Sequence, residues 1–182
     1  YMRQRAMLIT SAAEHAQHMQ KALTQMNVKL TQVVSDILGV TGLRIIRAIL
    51  KGARDPQELA KLRDERCHCS RQEIALALEG NYRPEHVFAL RQAVELYDFY
   101  QVKLQECDQQ IEAQFKSFDD QSGGQTLPPR PSNKKPGGNS PQFDLRARLF
   151  AMSGVDLTSI DGVDALTAAK VVAETGIDMS HF

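Results

Sequence analysis

Between Pro84 and Phe118, apolar residues return at every seventh position without a break: Leu90, Tyr97, Leu104, Ile111 and Phe118. The companion positions are Val87, Val94, Gln101, Asp108 and Phe115, of which three are apolar. A repeat of seven is the mark of one helix laid along another. It predicts a single helix from Pro84 to Phe118, roughly 50 Å long at the rise of an α-helix. That length exceeds a compact core for a chain of 182 residues, so the helix must project or pair. Gln101 and Asp108 interrupt the seam. In a paired coil they would set register or partner at a cost in stability; in a bundle they would mark where the helix leaves its neighbour. The candidate homo-oligomerisation residues are Leu90, Val94, Tyr97, Leu104, Ile111 and Phe118.

The rest of the chain is also helical in pattern. Leu8, Ala12, His15, Met19, Ala22 and Met26 alternate spacings of four and three, and Ile9, Ala16 and Leu23 widen the stripe. They predict a helix from Gln4 to Met26 that stops at Asn27. Residues 28–80 read as a compact set of short helices. Val33, Val34, Ile37 and Leu38 form one apolar cluster ended by Gly39, and Leu43, Ile45, Ile46, Ile49 and Leu50 another ended by Gly52. Asp55-Pro56-Gln57-Glu58 combines an N-cap, a proline at the first helical position and a capping-box glutamate. Ser70-Arg71-Gln72-Glu73 repeats the capping box, and Gly80 closes that helix. Absent tryptophan and 6% aromatic content suit helix packing better than a β-sandwich. The predicted architecture is all-α: a helical bundle with a long coiled-coil-like helix, a flexible linker and a short helix-hairpin-helix-like segment.

The linker is Asp119 to Gln142, where glycines and prolines replace apolar residues and too little surface can be buried to order the segment. It divides a helical region, 1–118, from a second module, 143–182, opening on a short helix at Phe143, Leu145, Leu149 and Phe150. Charge is balanced overall but not locally. Residues 1–66 carry 11 basic and 6 acidic side chains, residues 85–120 carry 3 and 8, residues 121–150 carry 5 and 1, and residues 151–182 carry 1 and 5. Alternating blocks predict faces with separate partners. Three cysteines and no secretory signal fit reduced thiols in a cytosol, and no apolar run is long enough for a bilayer. The start on Tyr1 is expected to reflect removal of something upstream.

The basic residues Arg3, Arg5, Lys21, Lys29, Arg44 and Arg47, the linker's Lys134 and Lys135, and Gly162 with Lys170 are the candidate nucleic-acid contacts. Lysine and arginine neutralise phosphates, although solvated helix faces carry such charges routinely. Ile160-Asp-Gly-Val-Asp-Ala-Leu-Thr-Ala-Ala169 has the form of a helix-hairpin-helix, whose turn can offer backbone N–H groups to phosphate. Asp164 stands where a second glycine would permit that approach, which favours a packing hairpin. Cys67-His68-Cys69 lacks the spacing and the second ligand pair of a zinc site. His15 lies in the apolar stripe and reads as a packed histidine. No carboxylate pair sits beside a strand signal, no serine has a general base at readable spacing, and no glycine-rich phosphate loop is present.

The order of these parts carries a resemblance. Asn27-Val-Lys-Leu-Thr-Gln-Val-Val-Ser-Asp-Ile-Leu-Gly39 follows a basic helix. Gly42-Leu-Arg-Ile-Ile-Arg-Ala-Ile-Leu-Lys-Gly-Ala-Arg-Asp-Pro-Gln-Glu-Leu-Ala60 comes next, and Ile160 to Gly176 follows the long helix and linker. Together they resemble the middle of the DEDD-type, RuvC-like insertion-sequence transposases, the bridge-RNA-guided DNA recombinases. The resemblance implies a fragment of an enzyme of DNA transposition and recombination, with DNA and guide RNA as partners, a homo-oligomeric state and magnesium in the full-length protein. The family's four acidic metal ligands and its serine match no position here, so the fragment itself is expected to hold no catalytic residue, metal or cofactor. The expected work of the segment is subunit pairing and nucleic-acid holding. The alternative is a structural helical adaptor that touches no nucleic acid.

Overall fold

The 33-residue helix Pro84–Lys116 does not run its seam against one partner; it divides its apolar positions between two cores. The computed structural model describes residues 1–129 and 139–176. In order, the elements are α1 (Met2–Gln25), α2 (Leu30–Val33), α3 (Val40–Leu50), α4 (Pro56–Ala60), α5 (Arg71–Ala77), α6 (Pro84–Lys116), α7 (Leu145–Ser153), a 3₁₀ turn (Leu157–Ser159) and α8 (Ala165–Thr175). The fold is all-α, and no helix among the described residues is long and apolar enough to cross a membrane. The chain divides into a central unit, Thr10–Tyr100, and a terminal unit, Tyr1–Ile9 with Gln101–Phe182. This partition differs from the linear one expected from composition, because the first turns of α1 belong with the C-terminal elements.

In the central unit, Met19, Leu23 and Met26 of α1 meet Ile45, Ile46 and Ile49 of α3, Ile74 and Leu78 at α5, and Leu90 and Val94 of α6. All but Val94, at 4% exposure, are fully buried. Each such side chain is worth about 1.5–3 kcal/mol in transfer, which makes this core the main source of the unit's stability. Two helix ends follow the expected residues. Asn27 adopts φ 56°, and the N–H groups of Asn27 and Val28 donate to the carbonyls of Thr24 and Leu23, closing α1 in a Schellman motif. Gly52, at φ 102°, closes α3 the same way through its own N–H and that of Ala53. Ser70 and Glu73 form the reciprocal capping box of α5. Asp55 caps α4 by accepting from the Gln57 N–H, but Glu58 pairs with Lys61 instead of completing a box.

Two glycines do something other than end a helix. Gly39 does not terminate the Val33–Leu38 cluster; α2 is only four residues long, and Gly39 is the N-cap of α3. Gly80 lies two residues beyond the cap of α5, where a Cβ would stand 2.5 Å from the Met26 carbonyl oxygen. The next residue, Asn81, donates its N–H to that same carbonyl at 2.8 Å. The end of α1 and the approach to α6 are thereby joined, and the two helices run antiparallel within this unit.

In the terminal unit, Leu145, Leu149 and Met152 of α7 pack on Ala168 and Ala169 of α8, with Met2, Phe115, Phe143 and Val163 around them. Parts of the linker read as unable to order are fastened here. The Gln121 N–H donates to the Ala151 carbonyl at 2.7 Å, Ser122 is buried, and the Gln142 N–H donates to Asp108. Gly154, at φ 72°, lies so close that a Cβ would stand 2.6 Å from the Gln121 carbonyl oxygen. Composition shows that the segment has no core of its own; it does not show the partners supplied from elsewhere.

Gly42 supplies a direct test of the central packing. A Cβ there would stand 2.2 Å from the Ile37 carbonyl oxygen, and this backbone cannot give way as a flexible side chain would. Gly42→Ala is expected to lower the unfolding free energy by about 1–3 kcal/mol, read from urea titration of the helical circular-dichroism signal. An unchanged midpoint would show that this approach does not hold in solution.

Candidate interaction residues

The basic residues singled out for phosphate fall into two groups. Arg5 is only 4% exposed; its Nε donates to Asp108 Oδ1 at 2.5 Å and its Nη2 to Oδ2 at 3.5 Å. It is thus a structural cation inside the terminal unit, not a phosphate ligand, and it answers the flaw that Asp108 makes in the heptad. Arg3 is exposed and pairs with Glu174, its Nε donating to Oε1 at 2.8 Å. Arg47 donates to both oxygens of Asp98 at 3.0 and 3.2 Å, and Arg44 stands 4.0 Å from Asp64. Lys21, Lys29 and Lys170 are exposed. Lys134 and Lys135 lie outside the described residues.

Further arginines stitch the backbone together. Arg54 donates to the carbonyls of Ile49 and Ala53 and lies over the Tyr82 ring at 4.9 Å. Arg91 Nη2 donates to the Leu50 carbonyl at 2.8 Å. Two guanidiniums therefore satisfy the C-terminal carbonyls of α3, where positive charge also complements the helix dipole. Arg63 clamps the Cys67-His68-Cys69 loop by donating to the carbonyls of Cys67 and Cys69. His15 is half-buried, stacked on Tyr100 with ring centroids 5.4 Å apart.

The hairpin is built for packing. Gly162 makes the turn at φ 80° and has open space around it, and Val163 joins the core beneath. Asp164 is the N-cap of α8, its Oδ1 accepting from the Thr167 N–H at 2.7 Å. That backbone hydrogen bond holds the Asp164 carboxyl below its ordinary range, with the Thr167 hydroxyl adding to it. The chain's own carboxylate therefore occupies the helix terminus that an anion would need.

The seam residues are divided by burial. Leu90, Val94 and Ile111 are buried in the chain's own cores, Tyr97 and Leu104 are half-buried, and Phe118 is 41% exposed beyond the end of α6. Leu90, Val94 and Ile111 thus have no surface left for another chain. The exposed apolar residues of α6 in the central unit are instead Phe88 at 60%, Leu96 at 43% and Phe99 at 52%. The signal for them lay in the sequence: eleven residues separate Phe88 from Phe99, about three helical turns, which returns to the same face. It was masked by the stronger repeat on the opposite side.

The other residues that sequence reasoning missed are Arg146 and Asp156. Arg146 is 7% exposed. It donates to Asp156, to Thr158 Oγ1 at 2.9 Å and to the Pro128 carbonyl at 2.9 Å, which ties the linker to the terminal unit. Neither side chain departs from ordinary surface composition, so no local signal marked them. The chain matches no family model, no curated protein and no solved structure.

The Arg146 guanidinium holds the Asp156 carboxyl down to about 2. A carboxyl depressed in the folded state stabilises above its unfolded pKa, near 4, and that contribution is lost as pH falls through the folded value. Asp156 is expected to contribute on the order of 2 kcal/mol at neutral pH that fades between about pH 4 and 2. Melting of wild type and Asp156→Asn across this range should converge toward the acid end. For the pair beneath α1, Asp108→Ala is expected to cost about 3–5 kcal/mol by leaving Arg5 buried and unpaired. Arg5→Met with Asp108→Leu should recover most of that loss, measured by denaturant titration.

Proposed function

We propose that this chain is a non-catalytic, protein-pairing helical module of a DNA-transposing recombinase of the RuvC-like insertion-sequence type. The family rests on the resemblance carried by residues 27–39, 42–60 and 160–176. The pairing role rests on one observation: α6 exposes Phe88, Leu96 and Phe99 on its outer face, while Leu90, Val94 and Ile111 of its seam are buried within the chain. Exposed aromatic and aliphatic side chains sharing one helix face mark a protein contact. In such an enzyme the chemistry, with its divalent metal, belongs to segments bearing the acidic ligands and the serine, and this module holds subunits in place around them.

DNA and guide RNA contact is the weaker part of the reading. Lys21, Lys29 and Lys170 are exposed, but Arg3, Arg5, Arg44 and Arg47 face carboxylates within the chain. This commitment of arginines favours, as a second reading, a helical adaptor that works through protein surfaces alone.

Sedimentation equilibrium of the chain is expected to give a dimer at micromolar concentration. A monomer at the highest attainable concentration would remove the pairing role. Binding to RNA and to duplex DNA at two salt concentrations separates the two readings. A steep loss of affinity with salt marks phosphate contact, and no binding at low salt leaves the adaptor.

A further inference from the structure

Within the central unit, α6 has two apolar sides. Leu90, Ala93, Val94 and Tyr97 face its core. Phe88, Gln92, Leu96 and Phe99, spaced by four, four and three, lie on the opposite side. Phe88, Leu96 and Phe99 are 60%, 43% and 52% exposed; Phe99 also meets Tyr100 edge-on, ring centroids 5.6 Å apart. Phosphate does not suit this face: Glu85, Glu95 and Asp98 stand around it with Arg91, and Arg47, the cation beside Asp98, is committed to that carboxylate. A protein helix does.

From the geometry we infer that the occupant is α6 of a second copy of this chain, lying antiparallel across a two-fold axis between Gln92 and Glu95. The inference rests on the pairing reading above and specifies its face and register. A two-fold contact must be self-complementary, each residue meeting one whose own counterpart it is. Placing Phe88 opposite Phe99 of the second copy sets Gln92 opposite Glu95, an amide donor facing a carboxylate. Along one edge it also brings Arg91 of each copy beside Asp98 of the other, two residues or about 3 Å apart along the axis, and the symmetry makes every pair twice. The parallel arrangement would set Glu95 against Glu95 and carry Arg91 and Asp98 of the two copies to opposite edges, where they make no pairs. Like charges in contact disfavour it.

The two edge residues are already held in place. Arg47 bonds both oxygens of Asp98, and the Leu50 carbonyl holds Arg91 through Nη2. A carboxylate has about four acceptor sites and a guanidinium five donors, so both retain capacity for a partner. The register therefore uses side chains whose freedom is reduced before the chains meet, which lowers the entropic cost of pairing.

The test combines charge reversal with cross-linking in the full chain. Arg91→Asp alone and Asp98→Arg alone are each expected to weaken the dimer about tenfold, because each makes two like-charge contacts. The double variant Arg91→Asp with Asp98→Arg should recover most of that loss, since the cross-chain pairs are exchanged although Arg47 loses Asp98. Oxidation of an equimolar mixture of Phe88→Cys and Phe99→Cys chains, mapped by mass spectrometry, should yield the 88-to-99 bridge. A wild-type dimer that tolerates either charge reversal, or that bridges 88 to 88, overturns this register and leaves the pairing role standing. A wild-type monomer overturns both.

Discussion

The interaction on which the terminal unit depends is the buried pair of Arg5 and Asp108. Two groups 4% and 5% exposed have given up most of their hydration, and each is tolerable only because the other is present. The pair pins the first turns of α1 to the second half of α6, and Asp108 reaches further, accepting from the Gln142 N–H at 3.2 Å. One carboxylate thus gathers the start of the chain, the long helix and the far end of the linker. Its cost in desolvation is offset by a specificity that apolar contact cannot supply. A slip of α1 along α6 by one turn would leave two charges buried without partners.

The same logic recurs at Arg146, which binds Asp156, Thr158 and the Pro128 carbonyl. Pro128 and Gln142 of the linker are therefore held by buried charged side chains, and Gln121 by a backbone hydrogen bond to Ala151. A proline- and glycine-rich segment has little surface to contribute to a core, but its carbonyls and N–H groups remain strong hydrogen-bonding partners. That is why its described parts are ordered where composition alone predicts none.

Much of the local structure was legible. The ends of α1 and α3 at Asn27 and Gly52, the caps at Asp55 and Ser70 and the extent of α6 all follow from short-range backbone chemistry that a few residues carry. At the hairpin, Asp164 in place of a glycine already favoured packing over phosphate contact, but its work as the N-cap of α8 came only from the structure. The candidate contact residues were read less well. Arg5 and Arg47 look alike in a list of cations, yet one is enclosed against Asp108 and the other lies on a surface beside Asp98. Leu90 and Phe88 look alike as apolar residues of one helix, yet they face opposite ways.

By itself, the sequence determined that this protein is all-helical, where α1, α5 and α6 begin and end, and that one helix is far longer than most of the others. These are consequences of periodicity and capping, which act within about one turn. Only the tertiary structure decided which side of α6 is spent internally, which arginines remain at the surface and which segments the first turns of α1 join. Those outcomes depend on pairings between residues about one hundred positions apart, such as Arg5 with Asp108. The free energy of burying a charge is set by what stands beside it after folding, and no local pattern carries that information.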